Sequence, residues 1–252
     1  MTEHPVQVPR IRLSLLLWVV GMVGVVAMTV TLLPNLLAGE ALPMPLWVLT
    51  LLSLGQSAAI LAFVVWAGVA LAPVVGLDAP VFVAAITRRP LGPVLRPQLM
   101  PGLIAGLLGG GFLFGAWRYA PAILAPIQER LNLPLFARVL YGGITEELFL
   151  RWGLMTVLVW LAWTLLQRRR RVPGPGHIWL AIVVSALLFG VGHLPAAFVL
   201  AGPLESVAVV WVVAVNTAFG LLFGHLFWKH GLESAMIAHG LTHVVHYVAE
   251  LL

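Results

Sequence analysis

The chain has 252 residues, 61% of them hydrophobic and only 9% charged, with a formal charge of +5 and no cysteine. Ordinary globular domains run near ~45–50% apolar and ~25% charged, so a separate soluble domain is excluded and a polytopic membrane protein is indicated. The lack of cysteine excludes disulfides and thiolate nucleophiles or ligands. The positive charge, mostly arginine in short loops, reads as topology signals rather than as a nucleic-acid surface, so no nucleic-acid partner is expected.

A bilayer-spanning helix needs about 20 mostly apolar residues. After a polar leader with Arg10 and Arg12, the run Leu13–Leu33 is too long for a signal-peptide core and predicts a retained first span. Pro34–Pro45, with Glu40, predicts a loop, and Leu46–Ala72 a second span whose Gly55, Ser57 and Ala58 would permit close helix contact. Pro73–Pro101 is Pro-rich, holds Arg88, Arg89 and Arg96, and is predicted to leave the membrane, with Val81–Ile86 as a short interfacial helix. Gly102–Tyr119 is the weakest span, short and dense in glycine, and Gly109–Gly111 suggests a close helix crossing or an irregular segment.

Pro121–Arg138, with Gln128, Glu129, Arg130 and Arg138, predicts an amphipathic connector at the interface. A fourth span follows from Val139 to Leu166 and stops at the arginine block Arg168–Arg171 and the Pro-Gly run after it. Ile178–Leu200 and Val207–Trp228 predict the fifth and sixth spans, and Leu232–Leu252 a last helix. The fold class is therefore an all-α transmembrane bundle of about seven spans, between six and eight, forming a single membrane domain. With the amino terminus inside, Arg10, Arg12, Arg88, Arg89, Arg96, Arg168–Arg171 and Lys229 fall on the cytoplasmic side. Arg118, Arg130 and Arg138 are the exceptions.

Tyr141–Met155 places Glu146, Glu147 and Arg151 inside an otherwise apolar segment. A carboxylate near the bilayer centre costs about 2.5 kcal/mol or more, so such side chains face the protein interior and mark function. On a helix Glu147 and Arg151 share a face at i,i+4, while Glu146 sits about 100° round. One carboxylate can pair with the guanidinium while the other stays free for chemistry. A purely structural buried ion pair is the competing reading, yet it needs only one glutamate. The fifth span carries Phe189 and His193, and the last helix carries His239, His243 and His246 at i,i+4,i+7 along one face. His246, near the end of the chain, is expected to face water. These groups allow water activation by a glutamate, a His-based zinc site, or a proton relay. Transport is disfavoured by the absence of repeat symmetry and of paired broken helices. Zinc is disfavoured because no glutamate adjoins His239 in the H-E-x-x-H manner.

The residues resemble the CPBP family of intramembrane proteases, named for CAAX prenyl endopeptidases and bacteriocin-processing proteins and also called abortive-infection proteins. Its motifs E-E-x-x-x-R, F-x-x-x-H and H-x-x-x-N/D are matched in order by Glu146-Glu147-Leu148-Phe149-Leu150-Arg151, Phe189-Gly190-Val191-Gly192-His193 and His239-Gly240-Leu241-Thr242-His243. The likeness covers residues 139–252 as a catalytic core, with 13–138 contributing further spans and the connector. It implies a multi-pass protein of a prokaryotic cytoplasmic membrane that hydrolyses a peptide bond of a membrane-associated or C-terminally processed protein. By resemblance, Glu146 is the general base, His193 positions the water, His239 and His243 stabilise the oxyanion, and Glu147 with Arg151 holds the site or orients substrate. No cofactor is expected. His243 departs from the family's Asn or Asp, but a neutral imidazole can also donate a hydrogen bond. The alternatives are a zinc-dependent intramembrane protease and a non-catalytic immunity or transport-accessory protein.

Overall fold

The computed structural model of the protein describes residues 8–39, 41–130 and 133–252. The expectations for Glu40 and for the side chains of Gln128, Glu129 and Arg130 lie outside the described residues. In chain order the helices are α1 (Arg10–Leu36), α2 (Leu46–Val75), α3 (Pro80–Ile86), α4 (Leu91–Arg118), α5 (Ala125–Arg130), α6 (Leu135–Leu165), α7 (Pro175–Gly192), α8 (Leu194–Ala201), α9 (Ser206–His230) and α10 (Leu232–Glu250). Among the described residues six helical segments are long and apolar enough to cross a membrane: α1, α2, α4, α6, α7 continued by α8, and α9. Their outward faces carry bare apolar side chains, such as Val19 and Val23 on α1, Phe63 and Trp66 on α2 and Leu107 and Leu108 on α4. Water would not tolerate such faces; lipid does.

The seventh expected span, α10, is long enough at 19 residues but carries Glu233, three histidines and Glu250. It is instead an interior helix, burying Glu233, Ser234, His239, Thr242 and His246 against its neighbours. Polar side chains survive at this depth because protein, not lipid, faces them. The correction for His246 follows: it is 4% exposed, and its Nδ1 lies 3.4 Å from a Glu250 carboxylate oxygen.

The region expected to leave the membrane is shorter than predicted. α2 runs past Pro73 to Val75, and α4 begins at Leu91 and continues through Pro97 and Pro101 for 28 residues. Each proline removes one helical donor, and Gln98 turns its Nε2 back to the Val94 carbonyl of the same helix at 2.9 Å. The glycines of α4 form its contact with α10. A Cβ at Gly106 would lie 2.6 Å from Leu241 Cβ, and one at Gly109 would lie 2.5 Å from Thr242 Oγ1. Of Gly109–Gly111, only Gly111 points into open space. Of the two readings of this run, the close crossing is present, between α4 and α10, and the irregular segment is not, since α4 is continuous there.

The start of α10 is pinned from three directions. Leu232 N–H donates to the Asp78 carbonyl at 3.1 Å, Ser234 N–H donates to Gln98 Oε1 at 3.1 Å, and Phe82 N–H donates to Glu233 Oε1 at 2.9 Å. The last contact ties α10 to the short helix α3, close to where an interfacial helix was expected. The expected connector is present as a 3-10 turn, Ala122–Leu124, followed by α5. Leu124 and Ile127 there pack with Ala197, Leu200, Ala208 and Val212 in a small second core.

Candidate active site

The three chemistry-bearing segments lie on α6, at the α7–α8 junction and on α10. α6 does not wind as a uniform α-helix. From Tyr141 to Glu146, and again from Leu148 to Met155, it is π-helical. Such windings are rare and concentrate at functional sites. Two hydroxyls fit the wider turn, since Thr145 and Thr156 both donate to the carbonyl five residues back, Leu140 at 3.5 Å and Arg151 at 3.2 Å. Thr145 also donates to the Gly21 carbonyl at 2.7 Å, which fixes the segment beside Glu146 to α1.

α6 can approach α10 closely because Gly142 and Gly143 lack side chains there. A Cβ at Gly142 would meet His243 Nε2 at 2.5 Å, and one at Gly143 would meet the Gly240 Cα at 2.9 Å. The Gly142-Gly143 pair directly before the glutamates was the sequence signal for this crossing, and it was not read.

The approach brings the motifs together. Arg151 Nη1 lies 3.1 Å from Glu147 Oε1, and the same oxygen accepts from His239 Nδ1 at 2.8 Å. Glu147 is 0% exposed and Arg151 2%. Because the carboxylate can only accept, Nδ1 of His239 carries the hydrogen and Nε2 is left as the working nitrogen. That nitrogen lies 3.9 Å from Glu146 Oε2. The Glu146 side chain keeps 19% exposure, so the two adjacent carboxylates occupy different environments: one clamped and enclosed, the other open.

Aromatic rings complete the shell. The Arg151 guanidinium sits over Phe189 at 4.9 Å and Phe223 at 5.4 Å, and its Nη2 reaches the Gly220 carbonyl at 3.5 Å. Phe223 stacks on the His239 ring at 4.5 Å, and His243 stacks on its other side at 5.0 Å. His193 donates from Nδ1 to the Phe189 carbonyl at 2.8 Å, and its ring meets the Phe189 ring edge-on at 4.7 Å. Phe189 also touches His239, with centroids 6.3 Å apart, so one ring links the second motif to the third. Phe223 and Gly220 carried no signal in the sequence, since α9 reads there only as an apolar span.

The fifth expected span is present as Pro175–Ala201, with its helix interrupted at one residue. α7 ends at Gly192, His193 forms the junction, and α8 starts at Leu194 with Pro195 in its first turn. Pro195 has no N–H to give and restricts the residue before it, which ends the run. His193 is thereby placed at a discontinuity rather than inside a continuous helix.

Among the described residues no group of three or more His, Asp or Glu side chains is arranged to hold a metal ion. The His239 and His243 rings are stacked at an interplanar angle of 27°, and His239 Nδ1 is engaged by Glu147, which leaves its Nε2 free.

Fold and site together define an all-α, multi-span protein enclosing a carboxylate–imidazole–guanidinium centre. Residues 128–245 match the family model of the type II CAAX prenyl endopeptidase Rce1-like proteins, which supports assignment to the CPBP family and a CAAX-protease-like membrane endopeptidase. No curated protein and no solved structure matches the chain.

Proposed function

We propose that the protein is a glutamate-dependent intramembrane endopeptidase in which Glu146 activates the attacking water. The observation that carries this is the asymmetry of the carboxylates. Glu147 is enclosed and held by Arg151 and His239, while Glu146 is partly open and faces the free nitrogen of His239. A general base must reach its water and give up its proton again, and the clamped carboxylate can do neither.

In the reaction, water gives a proton to the Glu146 carboxylate as its oxygen attacks the scissile carbonyl carbon. The carbonyl π electrons move onto oxygen, forming a tetrahedral oxyanion. Collapse re-forms the carbonyl, breaks the C–N bond and passes the Glu146 proton to the leaving nitrogen. The products are a carboxylic acid and an amine. His193, with Nδ1 committed to the Phe189 carbonyl, offers Nε2 to hold the water. His243, which makes no hydrogen bond among the described residues, supplies an N–H to the oxyanion. His239, tethered by Glu147, keeps His243 stacked and its own Nε2 toward Glu146. Arg151 holds Glu147 and takes no proton, since a guanidinium stays charged. No metal enters these steps.

The substrate class is a protein or peptide segment delivered at the membrane, cut near its carboxyl end or membrane junction. The host membrane is the cytoplasmic membrane of a prokaryote. Comparative proteomics of membranes carrying wild-type or Glu146→Gln protein tests this reading. The glutamine variant should lose about 10²–10⁴-fold in rate and accumulate an uncut precursor while folding normally. A folded Glu146→Gln protein with undiminished activity overturns it.

A further inference from the structure

Away from the catalytic centre, a cavity of about 810 Å³ opens where α1 begins and α2 ends, lined by Arg10, Leu13, Val69, Pro73, Asp78 and Arg89 among others, with Trp152 also in its wall. Its shape follows from the chain. α2 terminates at Gly76, whose φ of +77° is the left-handed conformation glycine adopts freely, and the backbone then turns away into α3. Pro73 lacks an N–H, so the Val69 carbonyl loses its i+4 donor on this same wall.

The lining divides by chemistry. The inner part is apolar, formed by Leu13, Val69, Leu77 and Val83, and the two guanidinium groups belong to exposed residues. Among the described residues neither Arg10 nor Arg89 makes an ion pair, in contrast to Arg138 and Arg151, which are both paired with carboxylates. Among the described residues Asp78 is the one acidic lining residue, and its Oδ1 accepts from the Ala79 N–H at 2.7 Å. Two arginines against one aspartate leave the cavity net positive. Arg88, beside Arg89, strengthens the field from outside.

We infer that this cavity binds an anionic phospholipid, with the phosphate headgroup on Arg10 and Arg89 and an acyl chain along Leu13, Val69 and Val83. The occupant must satisfy both parts of the lining at once. Free phosphate would leave the apolar wall bare, and a neutral amphiphile would leave the net positive charge of the two arginines and Asp78 without a counter-charge. Basic pockets between membrane helices take lipid headgroups on these grounds, and each arginine near a lipid surface contributes about fivefold in affinity. Bound there, the lipid would rest on Trp152, the neighbour of Arg151, whose indole N–H donates to the Val65 carbonyl at 3.3 Å. Occupancy would therefore brace α2 against α6.

The test is lipid retention by native mass spectrometry, with thermal stability read in parallel, for full-length protein in detergent supplied with phosphatidylglycerol, phosphatidylcholine or inorganic phosphate. Phosphatidylglycerol should be retained and raise the melting temperature, while phosphatidylcholine and phosphate should do neither. Arg10→Gln and Arg89→Gln, both at exposed positions, should each weaken retention about fivefold. Asp78→Asn should strengthen it. Equal retention of both lipids, stabilisation by phosphate alone, or unchanged retention in the double Arg10→Gln/Arg89→Gln variant would each overturn the assignment. None of these readouts depends on proteolysis.

Discussion

Replacing Arg151 by alanine should cost far more stability than replacing any surface arginine, and the structure sets the scale. Glu147 is 0% exposed, and one oxygen, Oε2, is buried with no hydrogen-bond partner. The other oxygen holds the Arg151 guanidinium at 3.1 Å and His239 at 2.8 Å. Removing one member of a buried pair costs about 3–5 kcal/mol, because the remaining charge is left uncompensated. The stacking of Arg151 on Phe189 and Phe223 is lost in the same substitution, so its contribution of about 2 kcal/mol is not added separately. Arg138 provides the contrast. Its pair with Glu250 has side chains 20% and 34% exposed, and Arg138→Ala should cost about 1 kcal/mol or less. Unfolding of purified protein by SDS titration in mixed micelles measures all of these. Glu147→Gln/Arg151→Met should regain much of the loss, since no charge is then stranded and Gln still accepts from His239. An Arg151→Ala protein within about 1 kcal/mol of wild type, or a double variant no more stable than the single one, would refute the reasoning.

His243 separates the hydrogen-bond role from a metal role. His243→Asn should keep most activity and His243→Ala should lose about 10²–10³-fold, and stoichiometric zinc lost along with activity in His243→Asn would replace the proposed mechanism with a metal one. Gly24→Ala should destabilise by about 1–3 kcal/mol and lower activity as well, because the added methyl would press on the Leu140 carbonyl and the Thr145 hydroxyl that anchor the π-helical segment; a fully active, equally stable variant would show that this anchor is dispensable. Arg170→Cys in this cysteine-free chain should be labelled only from the cytoplasmic side, and labelling from outside intact cells would invert the topology.

The amino-acid sequence by itself determined what local composition and short-range spacing can encode. Long apolar runs required helices with lipid-facing sides, and the i,i+4 offset of Glu147 and Arg151 requires neighbours on either α- or π-helical winding, because four residues return close to one turn in both. It did not reveal what depends on partners remote in the chain. The bond from His239 to Glu147 spans 92 residues, and the one from Phe82 to Glu233 spans 151. No periodicity in one segment reports on the other. The status of α10 was undecidable for the same reason. Its histidines and Glu233 are equally consistent with a wet surface helix and an enclosed one, until the glycines of α4 and α6 allow both neighbours to close over it. Only the tertiary structure decided which of two adjacent glutamates is clamped, since that choice rests on where α9 and α10 place Phe223 and His239 around Arg151.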